Sequence, residues 1–373
     1  MSRTKWTALG VILLLVAIGP IAAAIPLCDY SSPRTSLSDL NISFSYQYHQ
    51  DPYGLTDRNI DEGQLHIDYT RHYDTPDFGY DAAVNNDMNI SALSLSSFAM
   101  SGQGNLKWYF NPKAPTFALA GVTAKSASTY KTIGLFAKLA IGYGRFTDVT
   151  PLSKAMEIDD YLVDHGSITH HLEAIDLQSI AHEIDNINTY PSIADLLGAL
   201  REIVESSGVA KASGLDALDI YEMMQIVQDN SHPRYCGGSV SAGLGYEIVN
   251  AQGEPRNVLA TAAFNYAFTT TPQAQFLVQG TFSGAYDFLN TNQISVQASY
   301  DYMISQILDV SAAYSFSRET YGGEPTDQHD ISLKVAFTPI SAATITLALH
   351  FVHEPYYLMW SQDITFQIGM KLL

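Results

Sequence analysis

Apolar residues recur at every second position from about Leu40 to Phe146 and again from about Ser239 to Leu373. Between these regions, from about Asp148 to Ser231, the recurrence becomes helical. A period of two puts alternate side chains on opposite faces of a strand, whereas a period near 3.6 gives a helix one oily stripe. The chain therefore reads as two runs of strands interrupted by a block of helices.

The strands are plainest in the second half. Val258, Ala260, Ala262, Phe264, Tyr266 and Phe268 form one face, against Thr261 and Asn265 on the other. Phe276, Val278, Phe282 and Tyr286 oppose Gln275, Gln279, Thr281, Ser283 and Asp287. Ile294, Val296, Ala298, Tyr300 and Tyr302 oppose Gln293, Ser295, Gln297, Ser299 and Asp301. The pattern predicts six strands before the helical block, at 40–49, 63–73, 78–92, 95–110, 116–125 and 132–146. It predicts eight after it, at 238–249, 256–269, 274–288, 292–304, 306–318, 329–338, 342–353 and 360–373. The total is about 14, with 12 or 16 left open by the weak break near Leu93.

The chemistry of the two faces separates the alternatives. A soluble sandwich carries many Lys and Glu on its wet face; here that face holds Gln, Ser, Thr, Gly and a few Asp. The oily face is rich in Tyr and Phe toward strand ends, which suits the two interfaces of a membrane. The fold class expected is an all-β, antiparallel transmembrane barrel of about 14 strands with an α-helical insert. Outside residues 1–24 no continuous apolar run has the length of a spanning helix.

Turn lengths supply an orientation. Asn111 to Pro115, Thr270 to Gln273 and Thr338 to Ser341 are short and carry proline, whereas Asp51 to Asp61 and Glu319 to Gln328 read as longer polar loops. Short turns face the periplasm in bacterial barrels. Strand parity then puts all three short turns, and the helical block, on the periplasmic side.

Residues 1–24 read as a secretory signal: Arg3 and Lys5, an apolar core from Val11 to Ile18, and Ala22-Ala23-Ala24 before a cleavage point. An uncleaved anchor is disfavoured by the short run and by Pro20, and lipidation at Cys28 by the bulky Leu27. The domains expected are 1–24 (signal), 25–147 (first strands), 148–233 (acidic helical insert) and 234–373 (second strands). After export, Cys28 and Cys236 admit a disulfide, and two free thiols remain an equal alternative.

The signal, the alternating strands and a final strand at the very C-terminus resemble bacterial outer-membrane β-barrel proteins of the porin-like kind. The chain departs from their habit of a terminal aromatic residue, ending Lys371-Leu372-Leu373. The stretch from Tyr143-Gly144-Arg145 to Thr150-Pro151-Leu152 is also similar to poorly characterised barrels that carry a helical insert, a resemblance that implies no activity.

Within the block four helices can be read. Pro151 suits a first helical position, ahead of Leu152, Ala155, Met156 and Leu162 up to Gly166. Asp176 is placed to cap a second helix bearing Leu177, Ile180, Ala181 and Ile184. Ser192 and Asp195 resemble a capping box before Leu196, Leu197 and Leu200, and Asp216 precedes Ile220, Met223 and Val227. Each helix has one oily face, so a small bundle is expected. Gly208 to Gly214 reads as a flexible connection.

Charge adds one contrast. The chain holds 19 basic and 38 acidic residues; loss of Arg3 and Lys5 with the signal leaves 17 basic. The block alone carries 16 acidic residues against Lys154, Arg201 and Lys211. This disfavours nucleic acid as a partner and favours cations or a basic periplasmic protein. Glu157, Asp159, Asp160 and Asp164 are the candidate docking residues, with a plain solvated face as the alternative. His165, His170, His171 and His182 are the only cluster with metal-ligand chemistry, in no closed motif, so no metal and no cofactor is expected. The Met223-Met224 pair reads as core.

No Gly-x-Ser-x-Gly elbow, His-Glu-x-x-His or phosphate loop occurs, and an enzyme is not expected. His350, Ser299 and Asp301 are the trio that a hydrolase reading would use. The leading expectation is a passive channel for small solutes in outer-membrane lipid, lined by Gln275, Gln279, Thr281, Gln297, Ser299, Asp301, Asp309 and Lys334 and favouring neutral solutes or cations. The alternative is a scaffold barrel whose insert docks a periplasmic partner or plugs the lumen.

Overall fold

A computed structural model describes residues 26–30, 32, 34–49, 60–111, 114–229, 232–253, 256–305, 307–340, 343–353 and 359–370. The expected signal, most of the Asp51 to Asp61 loop and the last three residues lie outside these. Among the described residues fourteen strands form one sheet whose order follows the chain from β1 to β14. They are β1 (Thr35–His49), β2 (Ile60–Asp74), β3 (Phe78–Ser91), β4 (Ser94–Asn111), β5 (Ala114–Ala127), β6 (Gly134–Asp148), β7 (Tyr235–Val249), β8 (Val258–Thr271), β9 (Ala274–Gly284), β10 (Asn292–Ser305), β11 (Leu308–Tyr321), β12 (Glu324–Ile340), β13 (Ala343–His353) and β14 (Ser361–Met370). Neighbouring strands pair antiparallel, as in β1 with β2, β7 with β8 and β13 with β14. Short connections permit this order at every step except β6 to β7, where the helical block intervenes.

One hairpin is tighter than the sequence suggested. Glu319 to Gln328 is not a long loop: β11 and β12 run on to a two-residue turn at Gly322 and Gly323, both with positive φ (61° and 84°). Paired positive φ is what the twist of adjacent strands asks of such a turn, and glycine meets it without strain. The break near Leu93 is the same kind of turn made from Ala92 (φ 49°) and Leu93 (φ 58°), which lack that freedom.

The faces segregate as the alternation requires. Leu40, Ile42, Phe44, Leu139, Ile141, Leu244, Ile364 and Phe366 stand exposed on one face; Leu139 and Ile141 are 70% and 71% accessible. So much exposed apolar surface is unstable in water and natural in lipid. Aromatic rings gather near strand ends on this face: Tyr73 stacks on Tyr80 and Phe78 meets Trp108. At the opposite sheet end Phe316, His329, His353 and Trp360 form a second cluster.

The chain separates into two compact units. The second holds most of the strands. The first holds residues 149–235, the segment up to Ser31 and the β8–β9 hairpin tip, Phe268–Gln275. It contains α1 (Thr150–His165), α2 (Ala174–Asp185), α3 (Ile193–Ser206) and α4 (Ala217–Gln228). Leu152, Ile158, Leu162, Ile180, Leu196, Leu200, Val204 and Met223 are fully buried among one another, so the oily stripes make one core. None of these helices is long and apolar enough to cross a membrane.

The caps refine the sequence reading. Glu173, not Asp176, occupies the N-cap of α2, and Asp176 sits inside the first turn, where its charge still favours the helix end. Asp216 and Asp219 make a full reciprocal capping box, whereas the Ser192 hydroxyl accepts from the Asp195 N–H and donates to the Asp195 carboxylate. Gly208 to Gly214 is pinned rather than flexible. Val209 is buried, its carbonyl accepts from Thr169 N–H at 3.0 Å, and Lys211 N–H reaches Ser167 at 3.2 Å.

Candidate functional site: the polar face of the sheet

Cross-strand partners share a face, so register maps the polar wall directly. In the second half, Gln297 faces Ser315, Asp301 faces Ser311, and Ser311 faces Lys334. Asp309, one step along the same face, lies opposite Ala336. Gln297, Ser299, Asp301, Asp309 and Lys334 therefore share one face of β10–β12. Gln279, Thr281, Asp301 and Lys334 are exposed. Gln275 is not available to line it. Its side chain is 5% exposed and accepts from Tyr235 N–H at 3.0 Å and from the Thr269 hydroxyl at 3.3 Å, holding the helical unit to its hairpin tip.

The first half carries a denser arrangement that period alone did not reveal. One row runs across five strands: His72, Asp81, Asn105, Gly121, Lys138. The next runs Asp74, Gly79, Lys107, Leu119, Ala140, and a third joins Tyr109, Phe117 and Gly142. Asp81 binds His72 and lies 3.2 Å from the Lys107 ammonium. Tyr109 donates to Asp74 at 2.8 Å, and Arg145 reaches the Asp74 carbonyl at 3.4 Å. Lys107 also sits 5.9 Å from the Phe117 ring centre, within reach of its electron-rich face.

Glycines make this wall possible. A Cβ on Gly79 would meet the Asp74 carboxylate at 2.9 Å, and one on Gly121 would meet Lys138 Cε at 2.7 Å. Long polar side chains therefore lie flat along the wall over glycine notches. At one end the strands also fold back on themselves. The Thr35 hydroxyl donates to Phe146 O at 3.3 Å and accepts from Asp148 N–H at 3.0 Å, so β6 touches β1. There Thr35, Asp74 and Lys107 are buried.

The hydrolase trio is not assembled. His350 bonds Asp330 at 2.7 Å, and Ser299 lies three strands away through Ala313 and Ser332, about 14 Å at ordinary strand spacing.

In the helical unit the four acidic candidates part company. Asp159 is 4% exposed, accepts from Leu172 N–H at 2.9 Å and pairs with His171 at 2.8 Å, so it braces the fold and offers no docking surface. Glu157 is half-buried and pushed up to about 7 by burial, opposed by Arg234. Asp160 and Asp164 alone are exposed. Burial, and then the Asp159 charge beside it, raises the Asp160 carboxyl above its ordinary range.

The histidines are dispersed. His170 meets Thr169, His182 meets Asn186, His171 joins Asp159 and Asp160, and His165 lies beside Asp216 and Asp219. These last two groups have ligand atoms close together, but their buried carboxylates already satisfy backbone N–H groups. Met223 is core. Both cysteines, Cys28 and Cys236, are disulfide-bonded and neither is free.

No protein-family model matches the sequence, and no curated protein does. A solved structure titled "CymD monoaromatic hydrocarbon channel" aligns over 91% of this chain and 88% of its own at 8% identity, with a TM-score of 0.26. A likeness that loose fixes neither fold nor function.

Proposed function

We propose that the chain is an outer-membrane β-barrel that passes small solutes without chemistry, with its helical unit in the periplasm. One observation carries this reading: a fourteen-stranded antiparallel sheet with one face openly apolar and the other lined by cross-strand polar rows. Such a sheet satisfies its backbone and both faces only as a closed wall between lipid and water. The aromatic clusters at both strand ends support the same placement. Antiparallel order puts the exit of β6 at the sheet end that also holds the turns after β2, β4 and β8. The connections at that end are short, whereas at the other end those after β1, β5, β7, β9 and β13 are longer and only the turns at Leu93 and Gly323 are tight, a contrast that supports a periplasmic β6 exit.

The test is conductance of the folded, purified chain in planar bilayers, where discrete channel steps are expected and a silent membrane contradicts the reading.

A second reading rests on the helical unit being a packed body with its own buried core, far more than a connection needs. It would then dock a periplasmic partner through Asp160 and Asp164, or obstruct the path. A chain lacking residues 148–231 tells these apart: higher conductance supports obstruction, unchanged conductance with loss of a co-purifying protein supports docking, and no change in either contradicts both.

A further inference from the structure

In the row that crosses β2–β6, every charge but one has a contact partner. Asp81 is held by His72 and Lys107, Asp74 by Tyr109, and Arg145 reaches the Asp74 backbone. Lys138 is half-buried, its stem laid over Gly121, and its ammonium makes no hydrogen bond or contact ion pair among the described residues. It faces the same side as Lys107, away from the exposed Leu139 and Ile141. Three cations and two carboxylates thus meet on one patch of an otherwise acidic protein. A half-buried cation that must share the Asp81 carboxylate with His72 and Lys107 is a poor arrangement alone and a good one around an added anion.

We propose that Lys138, backed by Lys107, is a binding station for small anions, carboxylate-bearing solutes in particular, on the wall of the path. The proposal rests on the channel reading and reverses, at this point of the wall, the preference for neutral solutes or cations that composition favours. Gly121 is part of the station, since any larger residue would lift the Lys138 stem off the wall.

The test is the reversal potential of the full chain in planar bilayers across a potassium chloride gradient, repeated with potassium acetate. Lys138→Met keeps the stem over Gly121 and removes only the charge. Its anion-to-cation permeability ratio is expected to fall about threefold relative to wild type, while Lys138→Arg keeps the wild-type ratio. The heat-dependent gel shift of folded barrels checks each variant, and Lys138→Gln is read in place of Lys138→Met if that variant does not fold. Current with an unchanged ratio overturns the station and leaves the channel reading intact. A wild-type chain that passes no current overturns both.

Discussion

Glu157 shows how one residue's surroundings decide its chemistry. It sits on an exposed-looking acidic helix, yet burial raises its carboxyl to about 7, with Arg234, His232 and Lys154 opposing and Asp229 reinforcing. The folded state therefore holds a proton that the unfolded chain, with an ordinary carboxyl near 4.5, has already released. Stability from this group is fully present below about pH 4.5 and is lost as pH rises to about 7. Glu157→Gln removes that loss. At pH 8 it should stabilise the helical unit by about 1–2 kcal/mol, allowing for partial screening, with little difference at pH 4. The urea midpoint of the helical signal at 222 nm, compared at the two pH values, checks this. An equal gain at both would show that Glu157 acts through packing and not through its proton.

Among the elements, the hairpin at Ala92 and Leu93 is the one that breaks a local rule. Both residues take positive φ, where a Cβ crowds the backbone, and Leu93 is 81% exposed, so no packing compensates. Leu93→Gly should raise stability by about 1 kcal/mol, read as a higher urea midpoint for the sheet signal; a lower midpoint would show that Leu93 has contacts in lipid. The same hairpin explains why the strand count was soft at this point: neither residue is a turn former, so only the register of Ser91 with Ser94 shows the break. Elsewhere the strands were legible because lipid and water impose a strict period of two, and the observed bounds fall within a few residues of the expected ones. The end at Glu324 was misplaced because polar residues there read as a loop. The helices were legible from their stripes, but Asp159 was not recognisable as a brace. Its partners, His171 and Leu172, lie beyond the end of α1, and helical spacing does not report contacts made after the chain turns.

For the molecule as a whole, the polar wall was half legible. Gln297, Ser299 and Asp301 follow from alternation in a strand with a clean period. The His72–Asp81–Lys107–Lys138 system did not, because it is a property of register across β2–β6, and a shift of one residue in any strand would dissolve it. Gly79 and Gly121, opposite Asp74 and Lys138, are the sequence signal that was available: glycine facing a long charged side chain across a pair. The central claim is that one face of this sheet meets lipid and the other meets water. It is tested most directly by single cysteines at positions 138, 139, 140 and 141 of β6 in the chain reconstituted in bilayers. Each is modified with a water-soluble thiol reagent and, separately, carries a fluorophore quenched by brominated lipid. The account predicts alternation, with modification at 138 and 140 and quenching at 139 and 141; uniform modification, or quenching at all four positions, would contradict it.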